Sequence, residues 1–480
     1  MATTAPPVVI QGGMGIAVSG WQLARQVALA GQMGVLSGTA LDGVLARVLQ
    51  DGDPGGHRRR ALAAFPSQEI AQRILNTYFI EGGRREGQAY RPHPTLTISP
   101  SRAAIELSLA GNFAEVWLAK EGHQGVVGIN FLEKIQTATL SAGLGAMLAD
   151  VDYVIMGAGV PREIPRMLTE FAAGRTGHLS ISVIGATSEH RASLDPHTYL
   201  GADLPELRRP QFLAIVSAHI LAAYLNKDPE IRPDGFIVEG PTAGGHSAPP
   251  RGKMVLDEAG EPIYGPKDDA DLAKMVPLGV PFWLAGAYGT PERVAEATAA
   301  GAAGVQVGTL FALATESGLV PELRDQLRSQ LAEGTLVVRN DPRASPTGFP
   351  FKVAELPGTL AKAEVYAARE RICDLGYLRV PAERADGSLV YRCASEPAHM
   401  YLKKGGAEED IAGRVCLCNC LMANVGLGQL RPNGRTEDPA VTLGQDLDGA
   451  RRLMAELPEG WTAREAVDWL LGSSVDAARG

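Results

Sequence analysis

The stretch PFWLAGAYGTPERVAEATAAGAAGVQVGT, residues 281–309, sets the reading of the whole chain. It opens on an apolar run, Pro281 to Gly286, and closes on another, Gly304 to Gly308. Between them, Pro291 to Ala300 carries its apolar residues at helical spacing. Thr290 stands at the N-cap and Pro291 at the first helical position, the residue types a helix start favours. A short apolar strand, a glycine turn, a helix and a second such strand make the unit of a buried parallel sheet.

The same rhythm extends outward in both directions. Further runs are Val8 to Gly13, Met33 to Gly38, Gly125 to Phe131, Tyr153 to Gly157, Ile181 to Gly185, Phe212 to Ser217 and Gly235 to Glu239. A closed (β/α)8 barrel needs eight strands, so one run is surplus. Ile181 to Gly185 is the candidate for an extra strand or loop. A doubly wound open sheet would concentrate its glycines after the first strand. Here glycine-rich strand ends occur along the whole chain, which favours the barrel. The predicted fold is therefore α/β: a (β/α)8 TIM barrel with a helical insertion and a mainly helical C-terminal extension. Residues 1–50 and 123–318 form the barrel, 51–122 the insertion and 319–480 the extension. Helical patterns in the two added regions cover Ser67 to Phe79, Ser101 to Lys120, Pro321 to Leu331, Leu360 to Leu375 and Ala463 to Leu471.

Composition excludes several other classes. Glycine is 56 of 480 residues, roughly 12% against about 7% in an average protein. Hydrophobic residues at 45% and charged residues at 21% are those of a globular chain, not of a disordered or coiled-coil one. The net charge is −9, and the only basic run is Arg58-Arg59-Arg60, read as a solvated face, so no nucleic-acid partner is expected. The longest apolar stretch, Phe212 to Leu225, holds 14 residues and is too short to span a bilayer. The N-terminal MATTAPPVV lacks a basic and an apolar signal region. With five cysteines, sparse and odd in number, a reducing cytoplasm is the expected location.

In a barrel the chemistry lies where the strands end. Gln11-Gly12-Gly13-Met14-Gly15 lets backbone N–H groups approach a planar ligand, and it also fits a plain tight turn. Asn130 offers a donor and an acceptor after its strand. Glu239-Gly240-Pro241-Thr242-Ala243-Gly244-Gly245-His246 puts a histidine on a glycine loop, where its ordinary pKa suits proton abstraction. The loops at Gly286 and at Gln306-Val307-Gly308-Thr309 follow the last two strands, the usual place of a barrel phosphate site.

Together QGGMG, GINF at 128–131, EGPTAGGH at 239–246, the AG…GTP loop at 285–291 and GVQVGTLFALATESG at 304–318 resemble the nitronate monooxygenase family, also called 2-nitropropane dioxygenases. The resemblance spans most of residues 8 to 318 and implies an FMN-dependent barrel oxidoreductase. It implies that Gly13 and Met14 lie by the flavin ring and that Asn130, Glu239, Gly244, Gly245 and Gly286 help to bind the cofactor. Gln306, Val307, Gly308 and Thr309 would hold the phosphate, and His246 matches the proposed catalytic base. Glu239 stands where the family often has Gln, and Ala287 where it has a second glycine. The activity implied is oxidation of an alkyl nitronate with O2 to a carbonyl and nitrite, with His246 deprotonating a neutral nitroalkane or orienting the nitronate.

The length of the chain resembles a longer branch that includes enoyl reductases of polyunsaturated fatty-acid synthases and reductases of polyketide clusters. The alternative is therefore an FMN-dependent enoyl-thioester reductase with NAD(P)H as reductant and His246 as acid. A flavin-free lyase or isomerase of a sugar phosphate would need neither the QGGM nor the GGH loop. A homodimer is one assembly the sequence allows. Cys416, Cys418 and Cys420 alternate, and on a strand they would share one face. They are read as packing residues, with no metal site expected.

Overall fold

The computed structural model describes residues 6–473. The strands in chain order are β1 (Val9–Gln11), β2 (Met33–Ser37), β3 (Val127–Leu132), β4 (Tyr153–Gly157), β5 (Gly177–Ile181), β6 (His190–Leu194), β7 (Gln211–Val216), β8 (Gly235–Glu239), β9 (Phe282–Ala285) and β10 (Gly304–Val307). Eight of them close a parallel barrel in the order β1-β10-β9-β8-β7-β4-β3-β2. The closing seam pairs Val9 with Val305 and Gln11 with Val307. The opening stretch thus supplies two adjacent staves, with Gly304 opposite Trp283 and Gln306 opposite Ala285.

The surplus run has a clear place. β5 and β6 form an antiparallel hairpin outside the barrel, and residues 182–185 lie in its connection. β5 alternates buried and less buried residues, the pattern of a half-buried strand and not of a continuously buried stave, and the run overlaps it only at Ile181.

The bottom of the barrel is filled. Ile10, Met33, Val35, Ile155, Leu213, Ile237, Trp283 and Ala285 form one buried cluster drawn from six staves. The Trp283 indole N–H donates to the Pro7 carbonyl at 2.8 Å and so satisfies its only polar group. A packed interior leaves ligand space only at the strand C-termini. Thr290 caps the helix Pro291–Ala299, its hydroxyl accepting from the Arg293 N–H, as its residue type predicts.

The insertion carries helices His57–Ala63, Gln68–Tyr78 and Arg102–Lys120. The last is buried along nearly its whole length and packs against both Trp21–Leu29 and Gln136–Leu148. It is the helix that returns the chain from β2 to β3. The basic run lies on His57–Ala63 and is only partly solvated, because Arg58 is buried and paired with Glu115. Arg59 and Arg60 pair with Asp53 and Glu121.

The extension contains the helices Pro321–Ala332, Asp448–Glu456 and Ala463–Leu470. It also contains two hairpins, β11 (Val338–Asp341) with β12 (Phe351–Ala354), and β13 (Val380–Glu383) with β14 (Leu389–Arg392). The helix expected over Leu360 to Leu375 shrinks to Ala363–Ala368. Arg369 and Arg371 leave helical geometry there. Arg369 pairs with Glu437, and Arg371 donates to the carbonyls of Glu396 and Ile411, so tertiary partners override local propensity. Cys418 and Cys420 lie on the helix Leu417–Ala423, with Cys416 at its N-cap, so the alternation is not that of a strand. Among the described residues no helix is long and apolar enough to cross a membrane, and no cluster of side chains is arranged to hold a metal ion.

Candidate active site

A cavity of about 260 Å³ opens at the C-terminal ends of the barrel strands. Gly13, Met14, Asn130, Glu239, Gly244, Gly245, His246, Gly286, Gln306, Val307, Gly308 and Thr309 all line it. The chain separates these residues by up to three hundred positions, and barrel closure gathers them.

Each loop is pinned from below. After β1, the Ser19 hydroxyl accepts from the Met14 N–H at 3.0 Å and donates to the Gly12 carbonyl. Gln11 turns its amide to Ser19 at 2.9 Å and accepts from the Val35 N–H at 3.1 Å. After β9, Gly286 takes a positive φ of 84°, which L side chains rarely adopt, and its backbone lies close against Thr242 and Ala243. The single glycine suffices there, since Ala287 also holds a positive φ.

The electrostatics separate three groups, a fully buried Lys352 and the half-buried Glu239 and His246. Burial pushes the Glu239 carboxyl up to about 7, with the nearby Lys352 ammonium pulling the other way. Burial brings Lys352 down to about 8, opposed by Glu239 and Glu261. Burial, helped by the Lys134 charge, brings His246 down to about 4, so its imidazole is neutral at pH 7. Lys352 is fully buried and donates to the Ser247 hydroxyl at 3.0 Å.

Much of this site comes from residues the sequence did not single out, in the extension. β12 runs beside the histidine loop. Lys352 N–H donates to the Gly245 carbonyl at 2.9 Å, and Ser247 N–H to the Pro350 carbonyl at 3.0 Å. The His246 ring meets the Phe351 ring edge-on, with centroids 4.9 Å apart. Its Nε2 lies 2.7 Å from the Ser345 hydroxyl. A second segment covers the loops after β8 and β10. Thr442 accepts from the Gly245 N–H at 2.9 Å, Gly444 N–H donates to the Thr309 hydroxyl at 3.0 Å, and Gln445 N–H donates to the Thr242 carbonyl at 2.9 Å. Leu378, Leu417, Cys418 and Leu421 of the extension also line the cavity, together with Phe131, Ile135 and Ile215. Apart from Cys418, singled out with Cys416 and Cys420 by their alternation, no motif marks these residues. Only the excess length hinted that something covers the barrel mouth.

The residues present fit a flavin mononucleotide. Asn130 Oδ1 is buried with no hydrogen-bond partner, an acceptor that calls for a donor from a bound ligand. The Gly12, Gly13, Gly244 and Gly245 backbones line the cavity without side chains of their own. The Gln306 to Thr309 turn leads into a short helix, Thr309–Ala312, where N–H groups and a hydroxyl meet.

Fold and site together define a barrel enzyme with a glycine-lined cavity at the strand C-termini. The family model Nitronate monooxygenase matches residues 207–346, from β7 through β11, and places the chain among oxidoreductases. Among solved structures, the chain is similar to FabK from Thermotoga maritima, with 16% identity, 99% of this chain and 96% of that chain covered, and a TM-score of 0.47. It is also similar to a nitroalkane oxidase from Streptomyces ansochromogenes, with 16% identity, 99% and 97% covered, and a TM-score of 0.45. A third is the enoyl reductase domain of MlnA from Bacillus amyloliquefaciens, with 12% identity, 74% and 64% covered, and a TM-score of 0.35. Among curated proteins none matches.

Proposed function

We propose that the cavity binds FMN and that the protein oxidises alkyl nitronates with O2 to carbonyl compounds and nitrite. The observation that carries this reading is the neutral, half-buried His246 lining a glycine-walled cavity, within the segment matched by the nitronate monooxygenase model. Bound there, FMN would supply the electron transfer between substrate and oxygen. Overall, two nitronates and one O2 give two carbonyls and two nitrites, which balances atoms, charge and electrons.

The chain's own residues do the rest. Gln306, Val307, Gly308 and Thr309 would hold the phosphate, and Gly444 fixes the Thr309 hydroxyl. Asn130 and the Gly12-Gly13 backbone would hold the ring. His246 has one N–H and one lone pair, and neutral imidazole can bind the substrate without a charge of its own. Phe131, Ile135, Ile215 and Leu421 would take the alkyl group and exclude water.

The apolar wall from the extension favours a second reading, an enoyl-thioester reductase using NAD(P)H, because such a wall also suits an acyl chain. One experiment separates the two. The purified protein is loaded with FMN and its spectrum followed anaerobically, first with NADPH and then, on a fresh sample, with propyl-2-nitronate. The nitronate reading expects reduction by the nitronate and no rapid bleaching by NADPH. Rapid bleaching by NADPH with reoxidation by an enoyl thioester would replace it with the second reading.

A further inference from the structure

The His246 environment specifies more than its charge. Ser345 is fully buried, and its hydroxyl has three polar neighbours. Thr347 N–H donates to it at 3.2 Å, the Thr347 hydroxyl lies at 2.8 Å and His246 Nε2 at 2.7 Å. Thr347 Oγ1 in turn accepts from the Phe349 N–H at 3.4 Å. Among the described residues the Thr347 hydroxyl has no acceptor other than Ser345. Both hydroxyl protons are therefore used within the protein in one arrangement only. Thr347 donates to Ser345, and Ser345 donates to His246 Nε2. The reverse arrangement leaves the Thr347 proton without a protein acceptor.

We propose that Ser345, oriented by Thr347, is a positioning residue that holds neutral His246 as the Nδ1–H tautomer, so that the group turned to the cavity is a hydrogen-bond donor for an anionic substrate oxygen. Nδ1 has no hydrogen-bond partner among the described residues, and Nε2 is occupied. The edge of the ring left for the cavity thus carries a proton and no lone pair. Such a histidine cannot remove a proton from a neutral nitroalkane through that edge. It can donate to a nitronate oxygen, so the substrate class is the preformed anion. Phe351, edge-on to the ring, and the pairing of residues 245–247 with 350–352 keep the imidazole from turning over.

The inference rests on the cavity being the nitronate site, but its test does not depend on turnover. The FMN-loaded full chain is labelled with [15N]histidine, and long-range 1H–15N correlation spectra at pH 7 are assigned with the His246→Asn variant. A bare and a protonated imidazole nitrogen have widely separated 15N shifts. The expected spectrum shows His246 with Nδ1 protonated and Nε2 bare, and Ser345→Ala shifts it to a mixture of tautomers. In kinetics Ser345→Ala raises KM for propyl-2-nitronate about tenfold or more, with a smaller change in kcat, because a hydrogen bond to a charged group weakens. A wild-type spectrum with Nε2 protonated overturns the inference, whether or not Ser345→Ala folds. So does a tautomer unchanged by Ser345→Ala. Failure to release nitrite would instead count against the proposed activity and leave the tautomer result standing.

Discussion

Glu239 is the residue on which the site's pH response turns. Its folded pKa, about 7, lies above the ordinary carboxylate range because burial disfavours the charge. A raised pKa means that the fold prefers the protonated form. The associated stability is complete below the ordinary range and is lost as pH rises through about 7. The same ionisation puts a carboxylate on the cavity wall, where it would repel the anionic substrate of the proposed function. KM for a nitronate is therefore expected to climb above pH 7, and Glu239→Gln is expected to flatten that limb. A KM profile identical in wild type and variant would contradict the assignment. At this scale the sequence was informative for types and not for partners. Glu239, Asn130 and His246 were legible because they follow strand ends. Ser345 and Lys352 were not, because their contacts with residues 246 and 247 cross about a hundred positions and no local pattern encodes such a pairing.

At the scale of elements, the segment from Thr442 to the helix Asp448–Glu456 clamps the loops after β8, β9 and β10, which would hold the phosphate in the proposed function. Gly449 lies so close to the loop after β9 that an added Cβ would sit 1.8 Å from the Gly289 carbonyl oxygen. Gly449→Val must push the helix away, at a cost of about 1–3 kcal/mol for an overpacked contact. The expected result is FMN retained about tenfold or more weakly in equilibrium dialysis, with the barrel still folded by circular dichroism. Unchanged FMN affinity would remove the clamp from the account. The barrel staves themselves were readable because buried parallel strands are continuously apolar and end in glycine. The β5–β6 hairpin is different in character, alternating buried and less buried residues, and the run Ile181 to Gly185 overlaps it only at Ile181. The short helix Ala363–Ala368 was over-read because its continuation is claimed by Glu437 and by distant carbonyls.

At the scale of the molecule, barrel and extension share one continuous core that runs from Val9 to Leu470. Trp461 is nearly fully buried, and its indole N–H donates to the Leu310 carbonyl at 2.8 Å, just beyond the turn after β10. The Thr315 N–H donates to the Trp461 carbonyl at 2.9 Å. Trp461→Ala is expected to cost about 3–5 kcal/mol in urea unfolding, as for other large-to-small core changes. Because the core is shared, wild-type unfolding should show coincident transitions by tryptophan fluorescence and circular dichroism. A separate early transition of the extension would show that it folds as an independent lid. The extra length that kept the substrate open in the sequence is thus one wall of the site, and its residues bear directly on the chemistry.

The central claim is oxidation of nitronates at this cavity with His246 in contact with the substrate. The most direct measurement is simultaneous nitrite release and O2 uptake by the FMN-loaded protein given propyl-2-nitronate, for wild type and for His246→Asn. Nitrite is expected to form at about twice the rate of O2 uptake, following the proposed stoichiometry, with a loss of about a hundredfold in kcat/KM in the variant, the lower range for removing one preorganised hydrogen-bond donor. Flavin-loaded wild-type protein that consumes neither nitronate nor O2, or a His246→Asn variant as active as the wild type, would contradict it.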